Sequence, residues 1–261
     1  MKKSLTLFVL TLVISSLSFS NVLAQLPQVA ELEANGSEYT IDAFVDSVKN
    51  SNSMAFDVFI NSPMSINGKN VNGYTPINMA AKTNNILYAR RLIAKGADVN
   101  IPNKNQDYPL NFAASKGNPE MITLLLKSGA KVNVKNNKGD SPLRHAVSNG
   151  NIQAITLLLN AGADVNCANN KGNVPIRYAA QKGSNNVINL LLQRGADVNI
   201  ANEEGKTPLH FATEKGHYDT VKLLIDSGAN LKARDSKNRT AYDIAFKKKR
   251  FDLTPILQPR Y

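Results

Sequence analysis

Residues 207–231 read TPLHFATEKGHYDTVKLLIDSGANL, and they spell out two helices and the turns around them. Thr207-Pro208 marks a helix start. Proline suits the first helical position, where its missing N–H is not needed, and a threonine oxygen can cap the free N–H groups. Val221, Leu224 and Ile225 stand at i, i+3 and i+4, the stripe of a second helix facing a core. Gly228 ends that helix, where a left-handed residue is needed. A polar loop follows Leu231.

The same sentence recurs upstream with a period of 33. Pro76, Pro109, Pro142, Pro175 and Pro208 keep that spacing, as do Gly96, Gly129, Gly162, Gly195 and Gly228, each glycine followed by alanine. No insertion or deletion interrupts it between residues 67 and 232. Ala80, Ala113, Ala146, Ala179, Ala212 and Ala245 form a column of small residues that lets neighbouring first helices lie close. Leu92, Leu125, Leu158, Leu191 and Leu224 form the second-helix core column, beside Ile93, Leu126, Leu159, Leu192 and Ile225. Thr75, Ser141 and Thr207 can cap their helices; Tyr108 and Val174 cannot do so in the same way.

This pattern closely resembles the ankyrin repeat, a unit of 33 residues made of a turn and two antiparallel helices. Thr207-Pro208-Leu209-His210-Phe211-Ala212 carries the resemblance, with Asp98-Val99-Asn100, Asp164-Val165-Asn166 and Asp197-Val198-Asn199 after the Gly-Ala pairs. It implies an all-α fold, an ankyrin-repeat solenoid of stacked helix-turn-helix units with projecting loops. Five repeats are expected at 70–102, 103–135, 136–168, 169–201 and 202–234, between an N-terminal capping unit at 40–69 and a C-terminal one at 235–261. Pro63 stands where the first unit's glycine would be, and Pro255 shortens the last helix. The column that usually holds histidine reads Asn78, Asn111, Arg144, Arg177 and His210. Asn84 and Gln106 replace common glycines, so a slightly strained first loop is expected.

Residues 1–24 have the layout of a secretory signal peptide: Lys2 and Lys3, an apolar run from Leu5 to Ile14, then Val22-Leu23-Ala24. The run is shorter than the roughly 20 residues of a spanning helix. The expected product is exported, periplasmic or secreted, and bacterial in character, with residues 25–39 as a flexible leader. With 43% hydrophobic residues the chain is not of the disordered class. One cysteine, Cys167, rules out a disulfide scaffold and reads as a small buried residue. Aromatics are 7% and tryptophan is absent, which argues against a large aromatic core.

No P-loop, HExxH or GxSxG motif occurs, and no Cys/His cluster for zinc. His145 reads as a packed core residue. The expectation is no enzyme, no cofactor and no metal. A stack of seven units would form a curved rod roughly 60–70 Å long, with a concave face and a row of loops that suit a protein partner. The resemblance places partner contacts on loop tips and exposed first-helix ends. The candidates are Lys104, Asn105, Asp107, Lys135, Asn137, Lys138, Asp140, Asn170, Lys171, Glu203 and Glu204 at the tips, and Ser115, Lys116, Asn149, Lys182 and Lys215 at the helix ends.

The net charge is +11, and it is polarised: residues 25–66 carry −5. Lys116, Lys182, Lys215 and Lys248 share one column, a candidate basic stripe. Export, and the lack of aromatics between these lysines, argue against nucleic acid. The alternative to a protein partner is electrostatic attachment of the basic C-terminal half to an anionic envelope or membrane surface. A monomer is expected.

Overall fold

The computed structural model describes residues 40–62 and 64–258. The expected signal peptide (1–24), the leader (25–39), Pro63 and residues 259–261 lie outside the described residues. The chain divides into two compact units, residues 1–104 and 105–261. Among the described residues there are fourteen helices and no strand.

The first unit contains α1 (Ile41–Lys49), α2 (Ser53–Ile60), α3 (Pro76–Thr83) and α4 (Ile86–Ala94). Its core differs from the alanine–leucine pattern, because four rings gather in it. Phe56 stacks on Tyr88 at 3.9 Å between centroids, while Phe44 lies 6.0 Å from Phe56 and 5.4 Å from Phe59. The scarcity of aromatics overall therefore hides a local cluster. Asn84, at the end of α3, adopts the left-handed conformation with φ 61°, which asparagine tolerates through its short polar side chain.

The second unit contains α5 (Pro109–Lys116), α6 (Pro119–Lys127), α7 (Pro142–Asn149), α8 (Ile152–Asn160), α9 (Pro175–Lys182), α10 (Asn185–Gln193), α11 (Pro208–Lys215), α12 (Tyr218–Asp226), α13 (Ala241–Lys247) and α14 (Thr254–Leu257). First helices pack on first helices, α5 on α7, α7 on α9, α9 on α11 and α11 on α13. Ala113, Ala146, Ala179, Ala212 and Ala245 are fully buried there, since only a methyl group fits between helices this close. Leu125, Leu158, Leu191 and Leu224 are also fully buried, whereas the neighbouring Leu126, Leu159, Leu192 and Ile225 are half-buried. Cys167 is buried, as expected of a lone cysteine.

Each helix end has a local cause. Ser141 Oγ accepts from the Arg144 N–H at 3.2 Å, and Val174, as expected, offers no side-chain cap. The second helices use another column: Asn118 and Asn151 cap α6 and α8 by accepting from Met121 and Ala154 N–H. Gln106 holds φ 59°, the left-handed value that Gly139, Gly172 and Gly205 supply in the following loops.

Candidate functional site

Three polar columns build the loop face of residues 105–258. The first ties successive units together. Asn133 Oδ1 accepts from Asp164 N–H at 2.9 Å while its Nδ2 donates to Gly162 O at 3.0 Å. Asn166 does the same toward Asp197 and Gly195, and Asn199 toward Asn230 and Gly228.

The second column shapes the tips. Asn136, Asn169, Asn202 and Asp235 each accept two backbone N–H groups from residues two and four ahead, closing a tight turn. The tips are then linked in a row. Asn137 N–H donates to Asn105 O, Asn170 N–H to Lys138 O, Glu203 N–H to Lys171 O and Ser236 N–H to Glu204 O, at 2.8–3.2 Å. Gly172, with φ 70°, sits where a Cβ would lie 3.0 Å from Glu203 N and 3.1 Å from Asn202 Cα, so a side chain here would crowd the next tip. The tips are a fixed row rather than separate loose loops.

Asp235 is the acidic member of that column and carries an extra load. It is buried, and its Oδ2 accepts from Arg239 Nη2 at 2.6 Å and Nε at 3.0 Å. Burial opposes its charge, but the Arg239 guanidinium and the Arg239 and Lys237 N–H groups prevail and hold its pKa down to about 2. A folded-state pKa below the unfolded value of about 3.9 adds stability above that value, which is lost as pH falls through the folded one. The wild-type second unit should therefore lose roughly 2 kcal/mol between about pH 4 and pH 2 through this residue. Asp235→Asn keeps the turn's acceptor, as Asn202 does, and should flatten that part of the profile. Urea midpoints at pH 2, 4 and 7 check it; an unchanged acid slope in the variant would refute the assignment.

The third column lies on the first helices. Arg144 and Arg177 replace the histidine that His210 retains. His210 Nδ1 accepts from Thr207 N–H at 3.0 Å, which leaves Nε2 to donate to Arg239 O at 3.3 Å. Burial lowers its pKa and keeps it neutral in that bridge. Asn111 makes the same bridge with an amide, accepting from Tyr108 N–H and donating to Asp140 O. The arginines do something else. Arg144 Cζ lies 4.5 Å from the Tyr178 ring centroid, and Arg177 Cζ lies 4.5 Å from Tyr178 and 4.0 Å from Phe211. Lys206 Nζ stands 5.5 Å from the Phe211 ring. Cations and rings thus alternate in the order Arg144, Tyr178, Arg177, Phe211, Lys206. Asn169 Nδ2 donates to the Tyr178 hydroxyl at 3.0 Å, which joins this stripe to the loop row.

The charges along the stripe are unequal in pairing. Arg144 Nε lies 3.2 Å from Asp140, and Lys206 Nζ lies 3.3 Å from Glu204 and 3.5 Å from Glu214. Arg177 has no carboxylate within ion-pair distance among the described residues, and its buried Nε has no hydrogen-bond partner there. His145 is half-buried rather than fully packed. Burial and the adjacent Arg144 lower its pKa, and its Nε2 also lacks a partner.

Most of the residues chosen from sequence lie at the surface. Lys104 is exposed in the first unit. Asn105, Ser115, Lys116, Lys135, Asn137, Lys138, Asn149, Asn170, Lys171, Lys182, Glu203, Glu204 and Lys215 are exposed in the second. Several already serve their own fold: Lys135 Nζ donates to Ala168 O at 2.9 Å, Asn149 Nδ2 to Ser115 O at 3.2 Å, and Lys182 Nζ to Ser148 O. Asp107 is half-buried and accepts from Asn136 Nδ2 at 2.8 Å. Asp140 is a correction. It is buried, facing Arg144 and accepting from Asn169 Nδ2 at 2.9 Å, so it braces neighbouring turns and presents no tip. The arginine–aromatic stripe was missed as a unit, although two arginines in a histidine column were a visible signal.

The family model for ankyrin repeats (3 copies) matches residues 44–136, 110–202 and 178–259. The chain is an ankyrin-repeat protein. Its helix-turn-helix pairs are those of the ankyrin solenoid, and ankyrin repeats generally mediate protein–protein interaction. A search of curated proteins returns no match to it. Among the described residues no group of His, Cys, Asp and Glu is arranged to hold a metal ion, and no helix is long and apolar enough to cross a membrane.

Proposed function

We propose that this ankyrin-repeat protein is a non-catalytic scaffold of five repeats between two capping units, exported from the cytoplasm, that holds another protein on the loop row and first-helix stripe of residues 105–258. The observation that carries the reading is the Arg144–Tyr178–Arg177–Phe211–Lys206 stripe beside the loop tips. Arginine and tyrosine dominate binding energy at protein interfaces, because they combine large rigid contact area with directed polar groups. Arg177 stands between two rings without a carboxylate, so a partner's carboxylate or carbonyl completes its coordination. The sequence of residues 1–24 supports export to the periplasm or the medium. The reading takes the scaffold as a monomer, with no cofactor and no nucleic acid.

Affinity capture from the native compartment, with mass spectrometry, identifies the partner. Arg177→Ala is then expected to weaken its binding about 30-fold, the scale of an interface hot spot. Lys171→Ala, at an exposed tip, should change it by less than about threefold. Circular dichroism melts that match wild type separate lost contact from lost fold. Unchanged affinity in a well-folded Arg177→Ala would sink the stripe as the site. Failure of the native chain to retain any protein would sink the scaffold reading.

A further inference from the structure

The last helix pair of the second unit carries a surface that its repeat position does not explain. Residue 246 belongs to a column in which Ala114, Val147, Ala180 and Thr213 are fully buried, yet Phe246 is 61% exposed. Its second helix is only four residues, Thr254–Leu257, where α12 has nine. The pair therefore ends short, and the column's last member is left bare.

A second ring joins the first. Lys249 takes φ 57°, a left-handed turn that brings the chain back, and Phe251 lies edge-on to Phe246 at 6.0 Å between centroids. Phe251 is 58% exposed. Between the rings run Lys247, Lys248, Lys249 and Arg250, all exposed. None of these four cations forms an ion pair among the described residues. Of the nearby carboxylates, Asp243 accepts from the Thr240 N–H and hydroxyl at the opposite end of α13, at 2.8 and 2.9 Å, and Asp252 is the one acidic neighbour beyond Phe251.

Four cations alone are an ordinary solvated surface. Two bare phenyl rings alone are a poorly made cap. Their combination in six consecutive residues has a specific chemistry. Lysine stems extend the charge toward phosphates, while aromatic rings settle at the boundary between headgroups and acyl chains. We propose that Phe246–Phe251 is a contact site for an anionic lipid surface. Charge complementarity selects lipid phosphates, and the two projecting rings supply the apolar hold that charge by itself lacks. This site lies outside the arginine–aromatic stripe and stands whether or not the protein-partner reading does. It narrows electrostatic attachment from half of the chain to one turn. Arg250 Nη2 donates to Lys215 O at 3.4 Å, so Lys247, Lys248 and Lys249 carry the contact.

The test is co-sedimentation of the purified full chain with vesicles of phosphatidylcholine alone, or of equal parts phosphatidylglycerol and phosphatidylcholine. The wild-type chain is expected to bind the anionic vesicles in preference. Replacing Lys247 and Lys249 by glutamine should weaken that binding about 30-fold, at about fivefold for each cation. F246S/F251S should remove most of it, with an unchanged melt because both rings are exposed. An apolar leader on the chain would bind both kinds of vesicle and would be indifferent to these variants. Equal binding to neutral vesicles, full anionic binding by both variants, or a concentration-dependent dimer that F246S/F251S dissolves would each overturn the proposal. In the last case the occupant is a second copy. Binding of an acidic protein to the rings without any affinity for phosphatidylglycerol vesicles would overturn it as well.

Discussion

Leu158→Ala is expected to destabilise the second unit by about 2–5 kcal/mol and to lower its melting midpoint by roughly 10 °C. Leu158 is fully buried on α8, which packs against both α7 and α6. Removing its isobutyl group loses transfer free energy and leaves a cavity that rigid helix pairs cannot collapse around. The effect is enlarged by architecture. In a repeat stack, stability is a sum of unit and interface terms, so a central leucine supports its own pair and its neighbour's. Leu159→Ala, one residue on and half-buried, should cost clearly less. Urea unfolding followed by circular dichroism compares the two. A loss below about 1 kcal/mol for Leu158→Ala would contradict the core assignment.

Phe56→Ala should be as damaging in the first unit, at about 3–5 kcal/mol. The Phe56 ring is fully buried, stacks on Tyr88 at 3.9 Å and has the Arg91 guanidinium carbon 4.9 Å from its centroid. An aromatic pair in this geometry adds attraction beyond its buried area. Hydrogen exchange over residues 41–60 is the suitable readout, since an end pair can open on its own. Protection of those amides should fall more than 100-fold. If protection there is unchanged, α1 and α2 do not depend on the ring cluster.

Most of the fold was legible because repeat proteins write the same local physics many times. Proline at a helix start, glycine at its end and leucine at helical spacing each act within a few residues, and the period of 33 superimposes them. The positions of the exposed loop tips were legible for the same reason. The tie between Asn133 and Asp164 was also written in the period, as were the Asn118 and Asn151 caps, but asparagine in a loop carries several meanings. Only the partner atoms distinguish a cap from a tip. Asp140 shows the limit most clearly. It has the sequence setting of an exposed turn, and it becomes buried because Arg144 and Asn169, four and twenty-nine residues away, close over it.

The sequence by itself determined the helix pairs, their spacing, their core columns and their membership of the ankyrin family, since all of these follow from contacts within a unit or between like units. Tertiary structure alone decided which cation stacks on which ring, which carboxylate turns inward and which phenylalanine is left bare. Those outcomes depend on unlike side chains, about one repeat apart, competing for the same few ångströms. Arg177 between Tyr178 and Phe211, and Phe246 beside Phe251, are where that competition left groups without partners of their own.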